Sequence, residues 1–149
     1  MSEDALRVTV RDRLGPYGRL TRIENKISTG VPDIAYTLCR ASGWLELKFA
    51  ARWPVRPATP LTIEHLTLEQ VLWLEAEDRA GGRAWCLLQV CGDYLLLAPP
   101  AVRALYIGGI GRVELRARAA VFSEMMFPTK KILRELSKHD SHHQPIPPQ

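Results

Sequence analysis

The sequence predicts an α/β domain. Short apolar runs of strand length alternate with segments of helical period, each bounded by recognisable caps and breakers. At 149 residues with 46% apolar content, the chain is long enough for one domain with a real core. Ser2 caps a first helix, Glu3 to Leu14, which Gly15-Pro16-Tyr17-Gly18 ends. Arg19 to Asn25 reads as a short strand, and IAYTLC (Ile34 to Cys39) as a buried one. Arg40 to Gly43 supply a turn, and WLELKFA (Trp44 to Ala50) follows as the partner strand. A connection with Pro54, Pro57 and Pro60 leads to a helix from Leu68 to about Ala80, capped by Thr67 and stopped by Gly81-Gly82. RAWCLLQV and DYLLLAP are two strands joined at Cys91-Gly92. A helix from Pro99 to Tyr106, a strand from Arg112 to Arg118 and a basic helix from Pro128 to Lys138 complete the domain, residues 1–139. The tail, 140–149, has no apolar periodicity and is expected to be disordered.

Several classes are excluded early. No run approaches the roughly 18 apolar residues of a membrane span. MSEDALRVTV lacks the basic start and apolar core of a signal peptide. Cys39, Cys86 and Cys91 have no metal-ligand spacing and read as buried thiols in a reducing, cytoplasmic setting. GGIG (Gly108 to Gly111) lacks the Lys-Ser/Thr ending of a P-loop and reads as a turn. His139, His142 and His143 on the tail read as solvated.

The chemistry concentrates between Gly30 and Lys48. Asp33 follows Pro32 at the mouth of one strand, and Glu46-Leu47-Lys48 lies in the next. Alternation puts Trp44, Glu46 and Lys48 on one side of their strand and Leu45, Leu47 and Phe49 on the other. The Leu/Leu/Phe side is expected to enter the core, leaving Glu46 and Lys48 on a polar face. An antiparallel hairpin brings Asp33 beside them. Two carboxylates and an ammonium are what Mg²⁺-assisted phosphodiester hydrolysis needs. Glu24 is either a third acidic ligand or a surface partner of Arg22 or Lys26. Ordinary surface charges on a hairpin are the alternative for the whole set.

The order of motifs, RIENKISTGVPDI, then GWLELK, then LTLEQVLWL, resembles the PD-(D/E)XK nuclease superfamily, and within it the small phage-type and VRR-type (VRR-NUC) nucleases. Matching positions are Arg22, Ile23, Glu24, Gly30, Pro32, Asp33, Trp44, Glu46, Lys48 and Gln70, over about residues 19 to 97. The Pro-rich stretch after Lys48 is longer than a compact VRR domain has, and the triplet naming that family is not visible. The resemblance implies a restriction-endonuclease-like central mixed β-sheet flanked by helices. It implies Mg²⁺, or Mn²⁺ in its place, held by Asp33, Glu46, the Leu47 carbonyl and Glu24. Lys48 orients the attacking water, and Gln70 sits beside the site. The implied substrate is branched, flapped or four-way DNA, cut by a homodimer in the cytoplasm, host cytoplasm if phage-encoded.

Charge patterning fits such a partner. The net charge is only +4, but residues 101 to 138 hold eight Lys or Arg against three acids. Backbone contacts are expected from Arg22, Lys26, Arg52, Arg56, Lys130, Lys131 and Arg134. A catalytically silent DNA-binding module, a site-specific restriction-type endonuclease and an RNA-directed nuclease are the competing readings. The intact Asp/Glu/Lys set argues against the first.

Overall fold

Apolar residues on both faces of the middle strands demand covering layers above and below, and the helices supply them. The computed structural model describes residues 1–24 and 29–138. In chain order its elements are α1 (Glu3–Leu14), a 3₁₀ turn, β1 (Gly18–Arg22), β2 (Ile34–Leu38), β3 (Ala41–Ala50), α2 (Leu68–Arg79), β4 (Ala84–Val90), β5 (Asp93–Leu97), α3 (Pro99–Ile107), α4 (Arg112–Arg118), β6 (Val121–Ser123) and α5 (Thr129–Ser137). The strands form one mixed sheet in the order β1-β2-β3-β4-β5-β6. Only β3 and β4 run parallel, joined by the α2 crossover, and every other pair is antiparallel. The α/β class and the mixed sheet flanked by helices stand as expected.

One face of the sheet presents Leu45, Leu47, Leu87 and Leu96 to α1 and α5, through Leu6, Val10, Leu14, Ile132, Leu133 and Leu136. The other presents Cys86, Leu88, Val90, Leu95 and Leu97 to α2, α3 and α4. Full burial of one such Leu side chain contributes about 1.5–3 kcal/mol, so both layers hold the central strands firmly. Ser2 caps α1 through Ala5 N–H, and Gly108 (φ +89°) ends α3 within the expected turn.

Four local expectations need correction. β1 stops at Arg22, so Glu24 lies beyond it. The β2–β3 turn is Cys39-Arg40, both with positive φ (+50° and +67°), and β3 already starts at Ala41. Two left-handed residues in a two-residue loop match the twist of the paired strands. That turn exposes Cys39, while Cys91 is half-buried in another turn; only Cys86 is fully buried. Arg112 to Arg118 is helical, not extended. Its Val-X-Leu-X-Ala alternation is not used, because Leu115 is buried while Val113 is exposed. Gly111 opens that helix, and Arg118 pairs with Glu114 one turn back at 2.9 Å. The sixth strand is Val121–Ser123 instead. The tail from His139 lies outside the described residues, as does Lys26.

Candidate active site

β2 begins only at Ile34, paired with Leu45, so continuing that register sets Asp33 opposite Glu46. Pro32 is buried and carries no N–H. Where the β2 ladder ends, the next backbone donor on β3 is taken by a side chain: Leu47 N–H donates to Asp33 Oδ2 at 2.9 Å. The Asp33 carbonyl in turn accepts from Ile23 N–H at 2.8 Å, tying the turn to the end of β1. Alternate residues of β3 bond to β4, as Trp44 N–H and the Ala50 carbonyl do. The Leu47 peptide therefore points the other way, toward Asp33.

Glu46 and Lys48 are only 2% and 4% exposed. They do not lie on an open polar face as expected, because α2 and the 51–67 loop cover them and β3 is an interior strand. Burial of a lone charge costs on the order of several kcal/mol, so each must be served. Lys48 Nζ lies 3.7 Å from Glu46 Oε1 and donates to the His65 carbonyl at 3.0 Å. Gln70 Nε2 donates to the same Glu46 oxygen at 3.4 Å. The other end of that amide accepts from Thr67 N–H at 3.1 Å, within a complete capping box at the start of α2. Gln70 therefore joins the helix cap to the carboxylate.

Cys86 pairs in register with Glu46. Burial pushes its thiol well above the ordinary range; Glu46, Asp33 and Glu3 push the same way, and Lys48 opposes them. Two carboxylates and a backbone carbonyl suit a hard cation such as Mg²⁺, which keeps several waters of its own. Among the described residues, no three His, Cys, Asp or Glu side chains come together as a ready cluster. Asp33 and Glu46, opposite one another in register, are the two acidic oxygen donors here that such a cation would use.

The outlying candidates sort by face. Glu24 is exposed and sits 3.7 Å from Arg22, and among the described residues it does not form a three-acid group with Asp33 and Glu46. Arg22 pairs across from Ile34 and lines a cleft of about 540 Å³ with Arg7 and Arg11 of α1, on the opposite face from Glu46. Lys130, Lys131 and Arg134 are exposed on α5, which packs against that same opposite face. Arg52 and Arg56 are exposed on the loop leaving β3, whose His65 end holds Lys48. Aromatic packing closes the near side of the site: Trp44 and Trp73 meet edge to face at 5.0 Å.

In fold, the chain is similar to Hjc of Archaeoglobus fulgidus, a Holliday junction resolvase from an archaeal hyperthermophile. The two share 19% identity over 66% of this chain and 75% of that one, with a TM-score of 0.44. No family model matches the chain, and no curated protein matches it by sequence. Among the described residues, no helix is long and apolar enough to cross a membrane.

Proposed function

We propose that this chain is a Mg²⁺-dependent DNA endonuclease of the PD-(D/E)XK type, selective for branched DNA and active as a homodimer. The observation that carries the reading is the convergence of Asp33, Glu46 and Lys48 at the end of β2, with the Asp33 carboxylate seated on the Leu47 N–H. Asp33, Glu46 and the Leu47 carbonyl would hold Mg²⁺, or Mn²⁺ in its place. Such an ion would supply Lewis-acid polarisation of a phosphoryl oxygen and activation of a water.

The protein's own groups supply the rest. Lys48 brings a fixed positive charge to the carboxylates, steadies the attacking water and offsets charge as the phosphorus gains an oxygen. The His65 carbonyl fixes where that ammonium points. Gln70 fixes the Glu46 carboxylate. Burial by α2 keeps competing water from these groups, which strengthens each interaction. The resemblance in motif order favours flaps and four-way junctions, recognised by shape more than by base edges.

The test is incubation with Mg²⁺ and a panel of duplex, single-strand, flap and four-way DNA. Asp33→Ala and Glu46→Ala should abolish cleavage and leave binding intact or tighter without metal, since each acid repels phosphate when no cation is present. Cleavage by Asp33→Ala at the wild-type rate would sink the assignment.

A further inference from the structure

Strand register divides the β1–β2–β3 corner into two unlike faces. Directly opposed residues of an antiparallel pair share a face. Leu20, Tyr36 and Ile34 point to the α1 layer and are packed there. Their neighbours Arg19, Thr21, Ala35 and Thr37 therefore point the other way, to the face that carries Asp33, Trp44 and Glu46. Over β3 and β4 that face is covered by α2. Over β1 and β2 it is open: Arg19, Thr21, Thr37 and Ser42 are exposed and Ala35 half-exposed. A shallow depression of about 160 Å³ lies there, lined by Arg19, Thr21, Ala35, Tyr36 and Thr37.

Charge distinguishes this face from the one behind it. Arg7, Arg11 and Arg22, on the α1 side, each sit with a carboxylate, from Asp4, Asp12 and Glu24. Among the described residues, Arg19 and Arg40 at the hairpin tip have no ion pair, nor do Arg52 and Arg56 beyond the far end of β3. The open strip offers hydroxyls, Thr37 and Ser42 sharing a 3.0 Å hydrogen bond, and one small side chain, Ala35, that lets a chain approach the sheet. It leads directly to Asp33, and the Trp44–Trp73 pair walls its α2 side.

We infer that the open face of β1–β2 is the track on which one strand of DNA approaches the site, with Arg19 and the Thr21, Thr37 and Ser42 hydroxyls contacting its phosphates. The inference rests on the nuclease reading and places Arg19, and not Arg22, beside the acids. Arg40 extends the track away from the site, and Arg52 and Arg56 continue it past Lys48. Phosphate contacts of this kind position a strand without reading its bases.

The experiment is fluorescence-anisotropy binding of a labelled four-way junction and a labelled duplex to the full chain, with Ca²⁺ replacing Mg²⁺ to hold back cleavage. Arg19→Glu should weaken binding about tenfold and lower the slope of log K against log salt by about one. Thr21→Glu, which puts a carboxylate on the same strip, should weaken it similarly, and Arg19→Lys should restore most of the affinity. Arg11→Glu makes the same charge change on the α1 face and should stay within about twofold of wild type. All these positions are exposed, and thermal unfolding confirms that each variant is folded. Wild-type binding that survives both Arg19→Glu and Thr21→Glu overturns the track and leaves the nuclease reading standing. So does equal weakening by Arg11→Glu, which would mean a diffuse field and not a face. A wild-type chain that binds neither DNA overturns the nuclease reading itself.

Discussion

At Gly30 the backbone takes φ of +86°, and a Cβ there would collide with the Glu69 carbonyl oxygen at the start of α2. Three residues later the same turn delivers Asp33. Gly30→Ala should therefore cost about 1–3 kcal/mol in chemical denaturation, and it should also slow cleavage because the turn can no longer seat Asp33 against β3. A variant that loses stability but cleaves at full rate would separate the turn from the site. The cysteines offer a second check at this scale. Cys39 is exposed at a hairpin tip, whereas Cys86 is buried and its thiol is pushed far up by burial. A maleimide should label Cys39 rapidly in the native protein and reach Cys86 only on unfolding. Fast native labelling of Cys86 would mean that the site breathes open around Glu46.

Elements carry the site as units, and α2 is the clearest case. Thr67→Ala removes the reciprocal cap and should cost about 1 kcal/mol of stability. Gln70→Ala removes the cap's other half and the contact with Glu46, and should in addition lower turnover or metal affinity by about tenfold to a hundredfold. A Gln70→Ala variant with only the stability loss would reduce that residue to a cap. α2 is also tied to α3 by the two-pronged Arg103–Glu75 pair, which holds the Glu75 carboxyl below its ordinary range, first by hydrogen bonding and then by charge. A depressed carboxyl pKa stabilises the fold above the ordinary carboxylate range, and this contribution is lost as pH falls through the lowered value. The gap between wild type and Arg103→Ala should thus be full at neutral pH and narrow as pH falls below the ordinary carboxylate range in chemical denaturation, small throughout for a pair partly open to solvent.

Much of this was legible because local signals and tertiary demands agreed. Ser2, Thr67 and the Gly/Pro breakers placed four of the five α-helices among the described residues, and the β2–β3 hairpin placed Asp33 beside Glu46. Misreadings arose where a local pattern had two solutions. RVELRAR alternates like a strand, yet its single buried residue and its one-turn ion pair suit a helix. Alternation in WLELKFA marked one face as polar, but only the parallel β3–β4 pairing, a non-local event, shows that both faces are buried. The same limit hid the division between Arg19 and Arg22. Three residues apart on one short strand, they face opposite layers, and only pairing with β2 says which arginine shares a face with the acids.

For the whole molecule, the two layers divide the labour: α1 and α5 form an apolar foundation, and the α2 layer buries Glu46 and Lys48 beside the open strip of β1 and β2. One such site cuts one strand, and symmetric resolution of a four-way junction needs two strands cut at related positions. A closed two-fold dimer is the commonest way to present two identical sites. Among the larger apolar residues of the C-terminal third, Leu105 and Val121 are spent in the core, and Phe127 packs on Tyr94. Tyr106, Ile107, Met125 and Met126 remain exposed, the last three by 70% or more. None of them is needed by the site or by the strip leading to it. If they form the dimer contact, Ile107→Glu with Met126→Glu should yield a folded monomer that nicks a junction on one strand but no longer makes paired cuts. Light scattering and sedimentation, with and without junction DNA, measure the first property, and a cleavage assay on a cruciform plasmid measures the second. A wild-type chain that stays monomeric on the junction and only nicks it would end the resolvase reading. The endonuclease assignment, which rests on Asp33, Glu46 and Lys48 within one polypeptide, would survive that result.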